Sequence, residues 1–259
     1  KIVVGHWKEP RAQAELTDWM RSAAGVAFSR TLRVLRFGDN MRDVAVTEGD
    51  KIEALRRFGW SVDYWPVGYL AECMEQTAEA EIDAKLDEYR TRYEMATGDV
   101  ASVRYQAKME VALRSILREQ DAHAVVTNFQ DLYGLEQLPG LAVQNLMADG
   151  YGFGAEGDWK TAALTAVMKK IGRGLPGGCS FIEDYSYHYT KEGASELAAH
   201  MLEVCPSIGA GKAKIEVHPL GIGGRRPPAR LVFDAAPGAG VVATLLDMGG
   251  RMRMIAQEV

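Results

Sequence analysis

The chain has 259 residues, 47% of them apolar and 25% charged, and a formal net charge of −5. That length buries a substantial core as one large domain or two smaller ones, and the composition is ordinary for a soluble globular protein. The acidic balance, with no stripe of lysine and arginine, argues against nucleic acid as a partner, and no run of about 18 apolar residues offers a membrane span.

Nothing at the start of the chain reads as a secretory leader. The three cysteines, Cys73, Cys179 and Cys205, are odd in number and far apart. They suit buried thiols in a reducing, cytoplasmic compartment better than a disulfide framework or a structural zinc site. The chain opens on Lys1 without an initiator methionine and closes on Val259 just after a strand-like stretch. Both ends read as cuts in a longer protein, and a trimmed or processed chain is the overlapping reading.

Residues 1–5 are expected to form a short buried strand. A helix is expected over about 9–28, with Pro10 early, where a helix tolerates it. Arg33 to Phe37 reads as a strand that ends in the loop Gly38–Arg42. Ile52, Leu55 and Phe58 repeat at helical spacing over 50–58. From about Val67 to Met95 the chain is helix-rich, with Ile82, Leu86 and Tyr89 on one face, and a further helix covers about 103–119. Residues 124–127 read as a buried strand leading into Asn128-Phe129-Gln130-Asp131. This alternation argues for a Rossmann-like α/β domain with a mainly parallel sheet. After about residue 173 the turn-rich break Gly174–Gly178 is followed by strand-like runs near 179–188, 199–205, 213–219, 229–234 and 241–247. That region reads as a mainly antiparallel β-domain, and the fold as a whole as truncated at both ends.

Gly152-Phe-Gly154-Ala-Glu-Gly157 satisfies G-x-G-x-x-G by the letter, and a helix follows it with Ala162, Ala163, Val167 and Ile171 as buried positions. The preceding segment, Leu141–Met147, reads as a helix where a dinucleotide site needs a strand. Glu156 would also set a carboxylate where a pyrophosphate must approach. No dinucleotide cofactor is expected. A carboxylate beside a positive helix end is instead placed to stay ionised, as a metal ligand must.

If Phe181 to Tyr189 is extended, Phe181, Glu183, Tyr185, Tyr187 and Tyr189 share one face. A carboxylate on an aromatic face needs a counter-charge or a metal unless it reaches water. A half-exposed edge strand satisfies the pattern equally, and Asp184 with His188 is a rival ligand pair. His200 would share a strand face with Leu202 and Val204, where a satisfied core histidine and a ligand are both open. His6 and His218 follow apolar runs in the same way, and His123 is expected at the surface. The glycine-rich run Leu220–Arg226 fits a tight loop that lets backbone approach a neighbour, or an anion cradle.

Taken together, the runs RFGDNMR (36–42), VAVTEGDK (44–51), LPGLAVQ (138–144), GAEGDWKTAA (154–163), SFIEDY (180–185), HMLEVCPS (200–207) and LGIGG (220–224) resemble the L-arabinose isomerase family. The resemblance covers essentially the whole chain, more loosely from about residue 64 to 118. Members interconvert L-arabinose and L-ribulose, and many also convert D-galactose to D-tagatose. They use Mn²⁺ or a similar divalent ion such as Co²⁺, held by two glutamates and two histidines. The resemblance implies Glu156 and Glu183 as metal ligands and acid/base candidates, His200 as the first histidine, and Met41, Phe129 and Ile222 as substrate-lining residues. The family's second metal-binding histidine lies in a motif beyond Val259, and most of its N-terminal sheet has no counterpart here.

By the same resemblance, residues 1–30 end an N-terminal α/β domain, 31–173 form a central α/β domain and 174–259 begin a C-terminal β-rich domain. An aldopentose or aldohexose substrate and a trimeric or hexameric homo-oligomer are expected. The alternative is a non-catalytic sugar- or metal-binding homologue, or an inactive fragment of the isomerase.

Overall fold

The computed structural model describes residues 2–259. The described residues of the expected opening strand, 2–5, form no strand, and Ile2 and Val4 are exposed in an irregular segment; Lys1 lies outside the described residues. Helix α1 (Pro10–Ser29) follows, with proline in its first turn. Next come β1 (Arg33–Phe37), α2 (Lys51–Phe58), β2 (Ser61–Trp65), α3 (Val67–Glu75), α4 (Glu79–Arg92) and the short β3 (Glu94–Met95). Then α5 (Val100–Glu119), β4 (Ala124–Val126), α6 (Gly140–Ala148), β5 (Gly152–Gly154) and α7 (Trp159–Gly172) complete the helix-rich part. Beyond it lie only strands and short turns: β6 (Glu183–Tyr189), β7 (Ala194–Ala199), β8 (Gly209–Val217), β9 (Ala229–Ala235), β10 (Val241–Asp247) and β11 (Met252–Glu258).

Four strands form a parallel sheet in the order β2-β1-β4-β5. Alternate side chains leave its two faces. Leu35, Phe37, Val125 and Phe153 join a core with α3, α5 and α6 on one side. On the other, Val34, Ala124 and Val126 meet Trp60 and the Trp159, Ala162, Ala163 and Ala166 side of α7. A sheet covered on both faces needs apolar runs rather than alternation, which is why β1 and β4 are legible as runs. The remaining strands pair as the antiparallel hairpins β6–β7 and β10–β11 and as a three-stranded sheet β3-β8-β9. In that sheet β3 runs parallel to β8 and β9 antiparallel. The α/β part is thus followed by a mainly antiparallel β region, as expected.

Two expectations need correction. Helix α2 buries Ala54, while Ile52 and Leu55 are exposed, so its apolar spacing does not mark its packed face. The helix is fixed by its ends instead. Asp50 accepts a bond from Glu53 N at 2.9 Å, and Gly59 terminates it in the left-handed region. Residues 199–205 are not one strand: β7 ends at Ala199 and the chain then turns irregularly through His200 to Cys205.

The strand order reverses between β1 and β4, each of which has its sequence neighbour on the outer side. In open α/β sheets the crevice at such a reversal, beyond the strands' carboxyl ends, is where ligands bind. A buried polar cluster ties the helices behind this crevice together. Glu110, fully buried on α5, accepts from Tyr89 Oη at 2.5 Å, Asn145 Nδ2 at 2.9 Å and Arg114 Nε at 2.8 Å. Burial, with Glu110 beside it, drives the Tyr89 phenol well above its usual range, so it stays a donor. Removing the carboxylate leaves the Tyr89 hydroxyl and Asn145 Nδ2 without their acceptor in low dielectric, while Arg114 keeps Asp149 at 2.6 Å, so Glu110→Ala is expected to lower the unfolding free energy by about 2–5 kcal/mol. Urea unfolding measures this, and a loss under about 1 kcal/mol would show the cluster to be dispensable.

Candidate active site

Strand β5 passes into helix α7 through Ala155-Glu156-Gly157-Asp158. Glu156 has φ +59° and Gly157 φ +83°, two consecutive left-handed residues that turn the chain sharply. Asp158 then caps α7, accepting from Lys160 N and Thr161 N. A left-handed residue that is not glycine costs about 1–2 kcal/mol and persists only where its surroundings hold it. They do so here. Glu156 O accepts from Met41 N at 2.8 Å, and Gly157 N donates to Thr127 O at 3.0 Å. A Cβ on Gly157 would stand 2.4 Å from Asn40 Cα, so the Gly38–Arg42 loop is packed directly on this turn.

Glu183 opens β6 and pairs in register with Ala199, the last residue of β7. His200 follows immediately, so the hairpin's base presents both side chains together. His200 Nε2 lies 3.6 Å from Glu183 Oε2. The imidazole is packed edge-on against Phe181, with ring centroids 5.0 Å apart. Its other nitrogen, Nδ1, lies 2.7 Å from Oε2 of Glu203, a carboxylate buried to 3% exposure. The Glu203 backbone N–H also donates to Nδ1, at 3.4 Å. The carboxylate contact is close in distance but not aligned as a hydrogen bond, and Glu203 Oε2 has no other donor. Glu203 is the site residue that pattern reading missed. Its signal was a lone carboxylate within the otherwise apolar run Met201–Cys205, three residues after His200.

Three carboxylates thus surround one imidazole. Burial raises the Glu156 carboxyl above its usual range, and the negative charges of Glu203 and Asp158 act the same way against the pull of His200. Glu156 stands two residues before Asp158, the cap of α7, and burial rather than the helix end is the largest influence on its carboxyl. Glu183 is raised too, by burial and then by Glu156 and Glu203, again against His200. For His200, burial lowers the pKa, but Glu203, Glu183 and Glu156 outweigh it and leave it raised.

Phe129 and Ile222 line a narrow cleft with Glu156 and His200. The Leu220–Gly224 loop reaches it because Gly223, at φ +73°, lies against Leu138 and the Phe129 carbonyl. Glu156 and Glu183 together line an adjoining cavity of about 560 Å³, beside Val46, Phe181 and Tyr187. That volume lies within the range of small-molecule pockets. Met41 touches the site through its backbone bond to Glu156, while neither cleft has its side chain among the lining residues. Of the rival pair, Asp184 accepts from the Tyr187 hydroxyl and His188 is exposed. His218 pairs with Glu216 at 2.5 Å, and His6 is exposed. His123 is half-buried against Phe28 at 5.0 Å rather than at the surface, and burial lowers its pKa.

Two carboxylates and an imidazole suit a divalent ion of intermediate softness, and the buried Glu203 oxygen without an aligned donor fits a cluster completed by positive charge. Among the described residues, no three or more His, Cys, Asp or Glu side chains stand close enough together to hold a metal ion as they are placed.

With both glutamates raised, the folded chain holds more protons than the unfolded one between the ordinary carboxyl pKa and the raised values. Stability of the metal-free protein therefore falls as pH rises through that window. His200 adds stability that is full below its unfolded pKa near 6.5 and is lost as pH climbs through its folded value. The melting temperature in chelator is expected to fall from about pH 5 to about pH 8, and less steeply in the Glu156→Gln, Glu183→Gln double variant. Equal slopes in the two proteins would rule out this coupling.

Residues 33–174 match the family model of the L-arabinose isomerase central domain, and residues 178–259 match that of the L-arabinose isomerase C-terminal domain. L-arabinose isomerase of Thermotoga neapolitana is 52% identical over 261 residues, covering 100% of this chain and 53% of that protein. The enzymes of Anoxybacillus flavithermus and Geobacillus stearothermophilus are 52% and 51% identical over 265 residues, with the same coverage. The chain thus spans about half the length of the curated relatives it matches. It belongs to the L-arabinose isomerase family.

Proposed function

We propose that this chain carries most of the catalytic centre of an aldose–ketose isomerase that interconverts L-arabinose and L-ribulose, and D-galactose and D-tagatose. The observation that supports this best is the gathering of Glu156, Glu183 and His200 beyond the carboxyl ends of the parallel strands, beside a cavity of sugar-compatible size. Glu156, Glu183 and His200 would hold a divalent ion, Mn²⁺ or Co²⁺, which when bound polarises the sugar oxygens on C1 and C2 as a Lewis acid.

The chain's own residues supply the proton transfer. A carboxylate, Glu156 or Glu183, takes the proton from C2 of the open-chain aldose and returns it to C1 through an enediol, while O1 gains a proton and the O2 hydroxyl gives one up, so the net exchange balances. Burial suits both groups to this, because a raised pKa brings a carboxyl nearer to a reversible proton carrier at neutral pH. Glu203 fixes the His200 ring by its contact at Nδ1. Phe129 and Ile222 give the cleft an apolar wall that excludes water. We read the complete protein as a cytoplasmic homo-oligomer. Free Cys73, Cys179 and Cys205 fit a reducing compartment, and exposed Trp19, Met20 and Tyr189 offer apolar surface for subunit contacts. Among the described residues, no helix is long and apolar enough to cross a membrane.

In the full-length protein, Glu156→Ala and Glu183→Ala are each expected to lower kcat/KM for L-arabinose by about 10²–10⁴-fold and to weaken Mn²⁺ binding, with unchanged circular dichroism. Turnover near that of the parent in either variant would refute the site. Activity that survives exhaustive chelation would refute the metal. A parent that binds Mn²⁺ and L-arabinose without turnover would favour the non-catalytic homologue.

A further inference from the structure

Asn128 stands at the carboxyl end of β4, fully buried, and every polar atom of its side chain is engaged. Its Nδ2 donates to Asp39 O at 3.0 Å and reaches Asp131 Oδ2 at 3.3 Å, while its Oδ1 accepts from Gln130 N at 3.0 Å. Asp131 in turn accepts from Asp39 N at 3.2 Å and pairs with Arg42 at 3.0 Å. Gln130 Oε1 accepts from Arg42 N at 2.7 Å. The 39–42 loop is therefore gripped on one side by residues 128–131. On its other side it lies on the strained turn, with Asn40 Cα against Gly157 and Met41 N bonded to Glu156 O.

A residue in the left-handed region relaxes when the groups that hold it move away. We propose that Asn128 is a positioning residue for Glu156: by clamping the 39–41 loop onto the Glu156–Gly157 turn, it keeps the left-handed backbone that aims the Glu156 carboxylate into the site. Phe129, the next residue, is set by the same clamp, so one buried amide aligns a carboxylate and an apolar wall. The proposal rests on the isomerase reading for its catalytic consequence. Its structural core is the coupling between Asn128 and Glu156.

Asn128→Asp is the sharpest test, since it keeps the shape but turns the Nδ2 donor into an oxygen that faces the Asp39 carbonyl and the Asp131 carboxylate. In the full-length enzyme, it is expected to raise the Mn²⁺ dissociation constant, followed by electron paramagnetic resonance, and to lower kcat, each by about 10- to 100-fold, as for other residues that orient ligands. The Met41 amide should exchange hydrogen faster under native conditions. Gln106→Glu serves as a control for general destabilisation. Gln106 is equally buried and donates to Gln137 and to the Leu138 carbonyl, away from the loop. Unchanged Mn²⁺ affinity and unchanged Met41 protection in Asn128→Asp would overturn the proposal, as would equal weakening of Mn²⁺ binding in the Gln106 variant. A parent that neither binds Mn²⁺ nor isomerises L-arabinose would sink the functional reading instead. Exchange at Met41 would then decide the clamp alone.

Discussion

A Cβ on Gly152 would stand 2.1 Å from the Ala162 carbonyl oxygen, and one on Gly154 2.2 Å from that of Asp158. Helix α7 therefore lies against the bare backbone of β5, closer than any other residue type would allow. With so little space between strand and helix, the connection must reverse in four residues, and two of them take left-handed backbone. Glu156 is one of these two. Its place at the mouth of the sheet reversal follows from the packing of two glycines on β5, the nearer only two residues before it. The dinucleotide-like spacing of these glycines has the same origin: it records a close strand–helix contact, with a carboxylate where a phosphate would have to approach.

The electrostatics of the site are left unbalanced by the fold. Glu156, Glu183 and Glu203 all act on one imidazole, Glu203 adds to the rise of both Glu156 and Glu183, and Glu156 adds to that of Glu183. Nearby positive charge is committed elsewhere. Arg230, largely buried, spends its terminal nitrogens on the carbonyls of Met201 and His218 at 2.8 Å each, and burial lowers its pKa. It pins the backbone on either side of the site more than it neutralises the carboxylates. Arg36 and Lys160 are similarly occupied, Arg36 by Asp39 and Glu48, and Lys160 by the carbonyls of Val46 and Glu48. They hold the 45–48 segment beside the cavity.

Much of the fold was legible because its strands are apolar runs bounded by turns. β1 and β10 fall where pattern puts them, and Ile82, Leu86 and Tyr89 are buried as their spacing demands. What escaped has physical reasons. β5 is glycine-rich, and glycine signals a strand only through what packs on it. β7, Ala-Ser-Glu-Leu-Ala-Ala, has no alternation, because its exposed residues answer only to the register with β6. α2 packs through an alanine, so its larger apolar residues mislead. At the site, pattern alone left Glu183 and His200 ambiguous, since neither periodicity nor spacing encodes that a hairpin base brings them together. Family motifs carried them. Glu203 could have been suspected from its chemistry, since a carboxylate within an apolar run must find a partner.

The halves of the site rest on supports of unequal stiffness. Glu156 is braced by the doubly covered parallel sheet, whereas Glu183 and His200 stand at the base of a two-stranded hairpin whose outer residues, Tyr185 to Tyr189, are exposed. An isolated pair of strands is marginally stable by itself. The site therefore joins a support covered on both faces to one that rests on a single pair of strands and the packing of Phe181 at its base. Glu183 pairs with Ala199 and His200 follows directly, so the hairpin register alone sets the spacing of these two side chains. A slip of that register by one residue would part Glu183 from His200 while leaving Glu156 where the sheet holds it.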